Sequence, residues 1–249
     1  MDLLIGTLTL RPYVFAFVAA FAVLALRDLG RRRTLGFALS TFGVAWAAEF
    51  LSTRAGFPFG FYSYTGATRS RELYLSNVPF FDTVSFVFLT YAAYCLARLM
   101  LGRAGGWRVA GATGVLMMLL DVVIDPLAVR GDRWFLGRIF AYPEGGILFG
   151  VPLSNFGGWV LVGSVAIGVF LRMTGGEEPR SPRGGVVLYY GVLAFNLIMA
   201  WWIGEPLLFG LGVFVHLSLV LMVWSCYAVR GPGRAAPPAL APGSQPIFE

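Results

Sequence analysis

Charged residues are scarce in this sequence. Of its 249 residues, 13% are charged and 57% are hydrophobic, and the mean hydropathy is +0.73. A soluble domain normally has about a quarter of its residues charged, so this composition excludes a soluble globular protein. Several apolar runs approach or exceed the roughly 20 residues that cross a bilayer. The chain is therefore predicted to be an integral membrane protein surrounded by a lipid bilayer.

Lysine is absent, and all 19 basic residues are arginine. A retinal Schiff base requires a lysine amine, so a retinal protein is excluded even though seven membrane helices are predicted below. The formal net charge of +6 does not indicate a nucleic-acid partner. The arginines are scattered along the ends of loops, where they determine membrane topology.

Cysteine and histidine are nearly absent as well. Cys95 and Cys226 both lie inside apolar runs, so we expect them to pack as small core hydrophobes rather than to form a disulfide or bind a metal. The single histidine, His216, lies within the last apolar run, and no second His or Cys is spaced to share a metal with it. A packed core histidine is the favoured interpretation and a catalytic one is the alternative. No metal site is predicted.

Seven apolar segments predict an all-α fold, a polytopic membrane helix bundle of about seven transmembrane helices. They cover residues 9–29, 35–53, 78–101, 108–128, 153–173, 184–204 and 207–229. We therefore expect one integral membrane helical domain over residues 1–230. The remainder, 231–249, is rich in proline and alanine and is predicted to be a disordered C-terminal tail.

The distribution of arginine predicts the orientation. Twelve arginines fall on one side of the seven segments and seven fall on the other. Cytoplasmic loops carry an excess of basic residues, so the first side is predicted to be cytoplasmic. This places the N-terminus outside and the C-terminus inside.

Acidic residues in membrane helices are functional-site candidates, because an ionised carboxylate is unfavourable near hydrocarbon. On the predicted topology the acids and two side-chain amides gather at the non-cytoplasmic face. They are Glu49, Asp82, Asp121, Asp125, Glu205, Asn155 and Asn196. The acids on the cytoplasmic side lie in loops that contain arginine and are predicted to be solvated. These are Asp28, Glu177 and Glu178.

The sequence DVVIDP places Asp121 and Asp125 four residues apart, so they share one helical face, and Pro126 is expected to end or kink the helix. Two neighbouring carboxylates repel each other, so one is expected to keep its proton at neutral pH. A protonated acid in an apolar pocket can donate its proton to a weak base. The alternative is that each carboxylate satisfies a helix end or pairs with Arg130 or Arg133.

Two loops on the same face differ from ordinary connectors. Residues 56–65 (GFPFGFYSYT) and 143–159 (PEGGILFGVPLSNFGGW) combine glycine, proline and aromatic residues with few charges. Such segments lie in the membrane interface or fold back over a cavity. Interfacial tryptophans are individually typical of an aromatic belt, and this chain has Trp134, Trp159, Trp201 and Trp202. Combined with the acids, the loops predict an apolar, aromatic-lined chamber with proton donors at one end, suited to a long hydrocarbon substrate.

The same segments resemble a known family. The motifs occur in order and with compatible spacing over roughly residues 40–210: EFLSTRAGFPFGFYSYT (49–65), VPFFD (78–82), LDVVIDP (120–126), GDRWF (131–135) and FGVPLSNFGGW (149–159). In this combination the sequence resembles the carotenoid 1,2-hydratases of the CruF type, a family of bacterial and archaeal membrane proteins. That family often has a second tryptophan near GDRW and a bulky residue within NFGGW, where this chain has Phe135 and Gly158.

The resemblance implies a cofactor-independent hydro-lyase. Such an enzyme adds water across the terminal C1–C2 double bond of the ψ-end of an acyclic or monocyclic carotenoid, for example lycopene, γ-carotene or a bacterioruberin precursor. The product is a tertiary 1-hydroxy carotenoid, and no redox cofactor is required. The resemblance also implies a multi-pass protein of a bacterial or archaeal cytoplasmic membrane, with other carotenoid-pathway enzymes as candidate partners.

The residues fit this chemistry. Protonation of C2 creates a tertiary cation at C1, which water captures. The alkene is a very weak base, so the donor must be a strong acid held away from bulk water. We assign Asp121 or Asp125 as the general acid. The group that positions the water and accepts its proton is the other aspartate of the pair, Glu49 or Asp82; these three alternatives stay open.

The cation requires nearby π-faces and carboxylates. We assign Tyr62, Tyr64 and Trp159 to this role. The further residues expected to bind the substrate are Trp134, Asn155, Asn196 and Glu205.

Two alternatives come from other functional classes. The residues DVVID (121–125) match a DxxxD magnesium–diphosphate motif of membrane prenyltransferases, although that chemistry usually uses two acidic motifs and basic groups. Only one DxxxD is present, and there is no lysine. A proton-coupled membrane transporter would use the acids as a proton relay, although no internal repeat is evident and the acids gather at one face.

Overall fold

The computed structural model describes residues 2–102, 106–176 and 179–230. The predicted tail, together with Glu177 and Glu178, lies outside these residues, as does the side chain of Cys226. The helices are α1 (Asp2–Leu10), α2 (Pro12–Asp28), α3 (Arg31–Ala55), α4 (Phe80–Leu101), α5 (Gly106–Ala128), α6 (Leu153–Thr174), α7 (Arg183–Trp202) and α8 (Pro206–Arg230). The short strands are β1 (Ser63–Tyr64), β2 (Tyr74–Leu75), β3 (Val78–Pro79) and β4 (Phe140–Ala141).

The seven predicted segments correspond to α2 through α8, which confirms the all-α membrane bundle. Six of the described helices are long and apolar enough to cross a bilayer. The helix α2 has 17 residues, at the lower limit of about 17 for a crossing. Its predicted segment, 9–29, is divided at Arg11 because Pro12 lacks a backbone N–H and begins a new helix.

Helix ends depend on backbone conformation that the apolar pattern does not reveal. The helix α3 ends at Gly56, whose φ of 70° is the left-handed conformation that glycine adopts readily. Pro126 does not end α5, which continues to Ala128. Ala128 is also the last residue of the predicted segment 108–128, and a kink at Pro126, the other expectation, stays a prediction.

The helix α4 is the centre of the bundle. It packs against α2, α3, α5 and α7, and every residue from Phe86 to Arg98 is buried. This explains why α4 is apolar on all sides. Cys95 is fully buried here, as predicted for a small core residue.

Two polar residues, His216 and Asp28, are buried in the bundle. His216 is 3% exposed, and its Nδ1 lies 3.0 Å from the carbonyl oxygen of Gly212, which confirms the core histidine. Asp28 was predicted to be solvated, and this is wrong. It is 9% exposed, and its carboxylate accepts a 2.7 Å hydrogen bond from the hydroxyl of Tyr91 on α4.

Glycines bring α5 and α6 unusually close together. A Cβ atom at Gly114 would overlap with the carbonyl oxygen of Val160, and a Cβ at Gly163 would lie 2.7 Å from Sδ of Met117. Small residues allow membrane helices to approach backbone to backbone. This close approach places the N-terminal end of α6 directly beside the aspartates of α5.

Loops on one face of the bundle form its cover. The strand β1 pairs antiparallel with β4, which joins the loop after α3 to the loop after α5. The strands β2 and β3 form a second hairpin before α4. The helix α1 lies against this hairpin region, where Thr7 donates a hydrogen bond to the carbonyl oxygen of Arg71.

The α5–α6 contact predicts that Gly114→Ala destabilises the protein. Forcing a methyl group against the Val160 carbonyl is expected to lower the free energy of unfolding by about 1–3 kcal/mol. Gly111→Ala is the matched control, because a Cβ there meets nothing within 4 Å. Thermal unfolding in detergent measures both. Equal melting temperatures for the two variants would contradict the tight contact.

Candidate active site: a carboxylate-lined cavity

A cavity lies beneath the loop cover, between α2, α3, α4, α5, α6 and α7. Its lining is largely apolar and aromatic with a few polar groups, which is typical of a ligand pocket. Nine of the eleven predicted site residues line it: Glu49, Tyr62, Tyr64, Asp82, Asp125, Trp134, Asn155, Trp159 and Asn196. The loop 56–65 therefore folds back over a cavity, as its composition predicted.

One amide group joins the two aspartates of α5. The side-chain nitrogen of Asn155 lies 2.6 Å from Oδ2 of Asp121 and 2.8 Å from Oδ2 of Asp125. Trp159, one helical turn further along α6, donates its indole N–H to the same oxygen of Asp125 at 3.3 Å. Asp125 lines the cavity, whereas Asp121 is fully buried behind it.

One oxygen atom of Asp121 lacks a hydrogen-bond donor. Its Oδ1 is buried and, within the described chain, receives no hydrogen bond from an N–H or hydroxyl group. The other oxygen, Oδ2, shares the side-chain amide of Asn155 with Asp125. Two carboxyl groups can hydrogen bond with each other only when one of them is protonated. A protonated pair also avoids two adjacent negative charges in a buried site.

A second carboxylate, Glu49, lies on a different wall of the cavity. Its two oxygens accept hydrogen bonds from the hydroxyl of Tyr64 at 2.7 Å and from Thr83 at 2.5 Å. Tyr62 in turn lies 3.4 Å from the Tyr64 hydroxyl. Burial, reinforced by the charge of Glu49, raises the pKa of both tyrosines well above the usual value. Their hydroxyl groups therefore remain protonated donors.

Asp82 is held by an arginine that sequence reasoning assigned only to membrane topology. Arg11 is 1% exposed, and its guanidinium contacts Glu72 at 2.6 Å and Asp82 at 2.8 Å. The sequence signal was the position of Arg11 at the head of an apolar run, directly before Pro12. Its acidic partners lie 61 and 71 residues away along the chain, so no local pattern identified them.

Glu205 lies apart from this group. It forms ion pairs with Arg130, at 3.1 Å, and with Arg133. Burial opposes its ionisation, but the hydrogen bonds from both arginines leave its pKa below the usual value. These two arginines were the alternative partners for the aspartate pair, and they are instead occupied by Glu205. The predicted substrate contact of Glu205 is therefore not part of the cavity lining.

Aromatic side chains form the remaining walls. Trp159 stacks on Phe86 with 4.3 Å between ring centroids. Tyr142, which sequence reasoning did not single out, lines the cavity near Tyr62. Trp134 is also buried in the lining, whereas Trp201 and Trp202 are 64% and 65% exposed, as expected of belt residues.

Gly158 shows how the loop is fitted over α6. A Cβ atom at this position would lie 2.5 Å from the ring of Phe59 and 2.9 Å from the carbonyl oxygen of Pro58. The space that a bulky residue would occupy is therefore taken by loop 56–65. Phe59 fills it and lines the cavity.

Comparison with known proteins identifies a family and one characterised relative. A family model described as carotenoid biosynthesis protein matches residues 11–225. The bisanhydrobacterioruberin hydratase of Haloarcula japonica is 34% identical over 128 residues, which are 51% of this chain and 41% of that protein. The matched region thus spans about two fifths of the relative's length. No solved structure matches the chain.

The buried ion cluster predicts that Arg11→Met is strongly destabilising. Loss of the guanidinium leaves Glu72 and Asp82 without their cation, and breaking a buried pair lowers stability by about 3–5 kcal/mol. Adding Glu72→Gln is expected to restore part of the loss, because a neutral amide replaces an unpaired buried carboxylate. Thermal unfolding in detergent measures these changes.

Arg138→Met is the matched control for Arg11→Met. Arg138 is exposed, so its substitution is expected to leave the melting temperature nearly unchanged. If Arg11→Met and Arg138→Met unfold at the same temperature, the cluster does not stabilise the fold.

Proposed function

The chain belongs to the carotenoid biosynthesis protein family, and from this premise we propose that it is a carotenoid hydratase. It adds water to the C1–C2 double bond of a ψ-end and yields a tertiary 1-hydroxy carotenoid. The observation that carries the proposal is the buried aspartate pair, joined by Asn155, at the wall of an aromatic-lined cavity. Water addition changes no overall oxidation state, so it requires no redox cofactor.

Asp125 is the proton donor to the alkene, because it lines the cavity and Asp121 does not. The pair begins with one proton and one negative charge. When Asp125 gives that proton to C2, both carboxylates are negative, and the positive charge that forms at C1 balances the second one. The indole N–H of Trp159 and the amide of Asn155 both contact Oδ2 of Asp125. They fix the orientation of the carboxyl group and stabilise the anion that forms.

Glu49 is the group that accepts the proton of the attacking water. Asp82 is a weaker base for this step, because it is paired with Arg11. The hydrogen bonds to Glu49 come instead from the neutral hydroxyl groups of Tyr64 and Thr83. Water attacks C1, the C–O bond forms, and one proton passes to Glu49. The proton then returns through cavity water to the aspartate pair, which completes the cycle.

The tertiary cation at C1 lies among aromatic faces and carboxylates. Tyr62, Tyr64 and Trp159 line the cavity together with Glu49 and Asp125. A cation over an aromatic face is stabilised by roughly 0.5–2 kcal/mol. The hydrocarbon walls limit access of bulk water, so that the alkene meets the acid before water competes for it.

The substrate is an acyclic or monocyclic carotenoid. Lycopene and γ-carotene carry the required ψ-end, and bisanhydrobacterioruberin is a further candidate through the relative from Haloarcula japonica. Trp134 and Asn196 line the cavity and contact the chain of the substrate next to its reacting end. Other enzymes of the same pathway are candidate partners that supply or remove it.

The proposed location is the cytoplasmic membrane of a bacterium or archaeon, with the N-terminus outside and the C-terminus inside. The helix α1 lies against the loop cover through Gly6 and Thr7, so the N-terminus and the cavity share one face. Under the arginine distribution that face is non-cytoplasmic.

The prenyltransferase and transporter alternatives gain no specific support. A diphosphate needs basic partners, and the arginine in the cavity lining, Arg11, is already paired with Glu72 and Asp82. A relay through the bundle requires carboxylates along its length, whereas the cavity carboxylates gather beneath the cover.

The mechanism predicts that Asp125→Asn abolishes most of the hydration. Loss of a general acid typically lowers the rate by about 10²–10⁴-fold. The asparagine side chain has nearly the same shape as aspartate and can still contact Asn155 and Trp159, but it has no acidic proton. Carotenoids extracted from a lycopene-producing bacterium are compared by chromatography and mass spectrometry, at equal membrane abundance of each variant.

Asp132→Asn is the matched control for Asp125→Asn, because Asp132 is exposed and lies outside the cavity. It is expected to form hydroxylated product at the normal rate. Asp121→Asn is expected to lower the rate as well, since the pair then lacks its shared proton. Normal turnover by both Asp121→Asn and Asp125→Asn would rule out the assignment.

A further inference from the structure

A carotenoid is too long and too stiff to lie entirely within the cavity. A conjugated polyene cannot fold back on itself, so only one end of it fits beneath the loop cover. The remainder must leave the cavity between two helices and enter the bilayer. This reasoning rests on the proposed function, because it takes a carotenoid as the ligand.

A row of aromatic rings leads from the cavity to the edge of the bundle between α2 and α7. Phe88 on α4 contacts Phe17 on α2 at 5.4 Å between ring centroids, and Phe17 contacts Phe195 on α7 at 5.9 Å. Phe195 also stacks on Tyr13 at 4.8 Å with an interplanar angle of 18°. Phe17, Phe88 and Tyr13 line the cavity, whereas Phe195 does not. Phe195 therefore closes the row on its outer side.

At the level of the aromatic row, the described residues form no hydrogen bond between α2 and α7; the backbone hydrogen bond from Arg180 to the carbonyl oxygen of Asp28 lies at the far end of α2. The side-chain hydrogen bonds of α7 run to α5, to α8 and within α7 itself, through Tyr189 and Asn196. In the described part of the chain, none of them reaches α2. What joins α2 to α7 at this level is the stacking of Phe195 on Tyr13 and its edge contact with Phe17.

We infer that the polyene chain lies in a lateral passage between α2 and α7, and that the stacked pair Tyr13–Phe195 is the gate of this passage. The occupant is a linear conjugated hydrocarbon. The inner walls, Phe17, Phe88, Leu89 and Val192, are apolar and border the cavity, so the passage is continuous with the site of the reaction. Flat aromatic rings suit a flat polyene.

The test closes the gate with a reversible cross-link. The double variant Tyr13→Cys with Phe195→Cys is made in the full-length protein and treated with a short bifunctional thiol reagent that a reductant removes. Two ligands are compared: lycopene, and an acyclic monoterpene alkene with the same end group but no polyene chain. Lycopene retained by the purified protein is measured by its absorbance, and hydroxylated products are measured by mass spectrometry.

The cross-linked protein is expected to lose lycopene binding and hydration to background while it still hydrates the monoterpene. Reduction is expected to restore lycopene binding, so that loss of the two aromatic side chains is not the cause. Lycopene binding that survives the cross-link would overturn the passage. Loss of monoterpene hydration together with lycopene hydration would overturn it too, because the cross-link would then act on the chemistry.

A matched control ties α2 to a different neighbour. Phe15 and Phe81 join α2 to α4 with 4.8 Å between ring centroids, and neither lines the cavity. The double variant Phe15→Cys with Phe81→Cys is expected to bind lycopene normally when cross-linked, and a loss equal to that at the gate would overturn the passage. The binding measurement also separates the two proposals. Lycopene bound reversibly through the gate without any hydroxylated product would contradict the hydratase and leave the passage supported.

Discussion

The amide of Asn155 holds two carboxyl groups together inside a protein that lies in hydrocarbon, and the site depends on this contact. A single ionised carboxylate is unfavourable in such surroundings, and two adjacent charges repel each other as well. One amide donor shared by both carboxyl groups, and in the proposed mechanism one shared proton, reduces that penalty. The pair lies beside a cavity whose walls are largely apolar and aromatic. The hydration chemistry proposed here needs both properties in one place.

The rest of the fold serves to maintain this contact. Gly114 and Gly163 let α5 and α6 approach closely enough for Asn155 to reach across to α5. The buried Arg11 cluster ties the start of α2 to the loop and to α4, and the pairing of β1 with β4 holds the cover in place. Glu49, the base in the proposed mechanism, is held by neutral hydroxyl groups on another wall.

Much of this was readable from the sequence, because the signals were local. Apolar runs located the helices, and the spacing of Asp121 and Asp125 placed both on one face. The errors came from long-range contacts. Glu205 is drawn away from the cavity by Arg130 and Arg133, and Asp28 is buried by Tyr91 on a helix far along the chain. In the sequence, Arg11 does not differ from other loop arginines, because its acidic partners lie far along the chain. Such pairings depend on how the helices pack, which hydrophobic periodicity does not record.

In the proposed reaction, water adds to the terminal alkene after the protein protonates it. The most direct measurement incubates purified protein and lycopene in deuterium oxide enriched in heavy oxygen, and locates both labels in the product by mass spectrometry. Hydration predicts one deuterium at C2 and one heavy oxygen at C1 for each modified end. A hydroxylated product whose oxygen does not come from water, or which lacks the deuterium at C2, would contradict protonation followed by water capture.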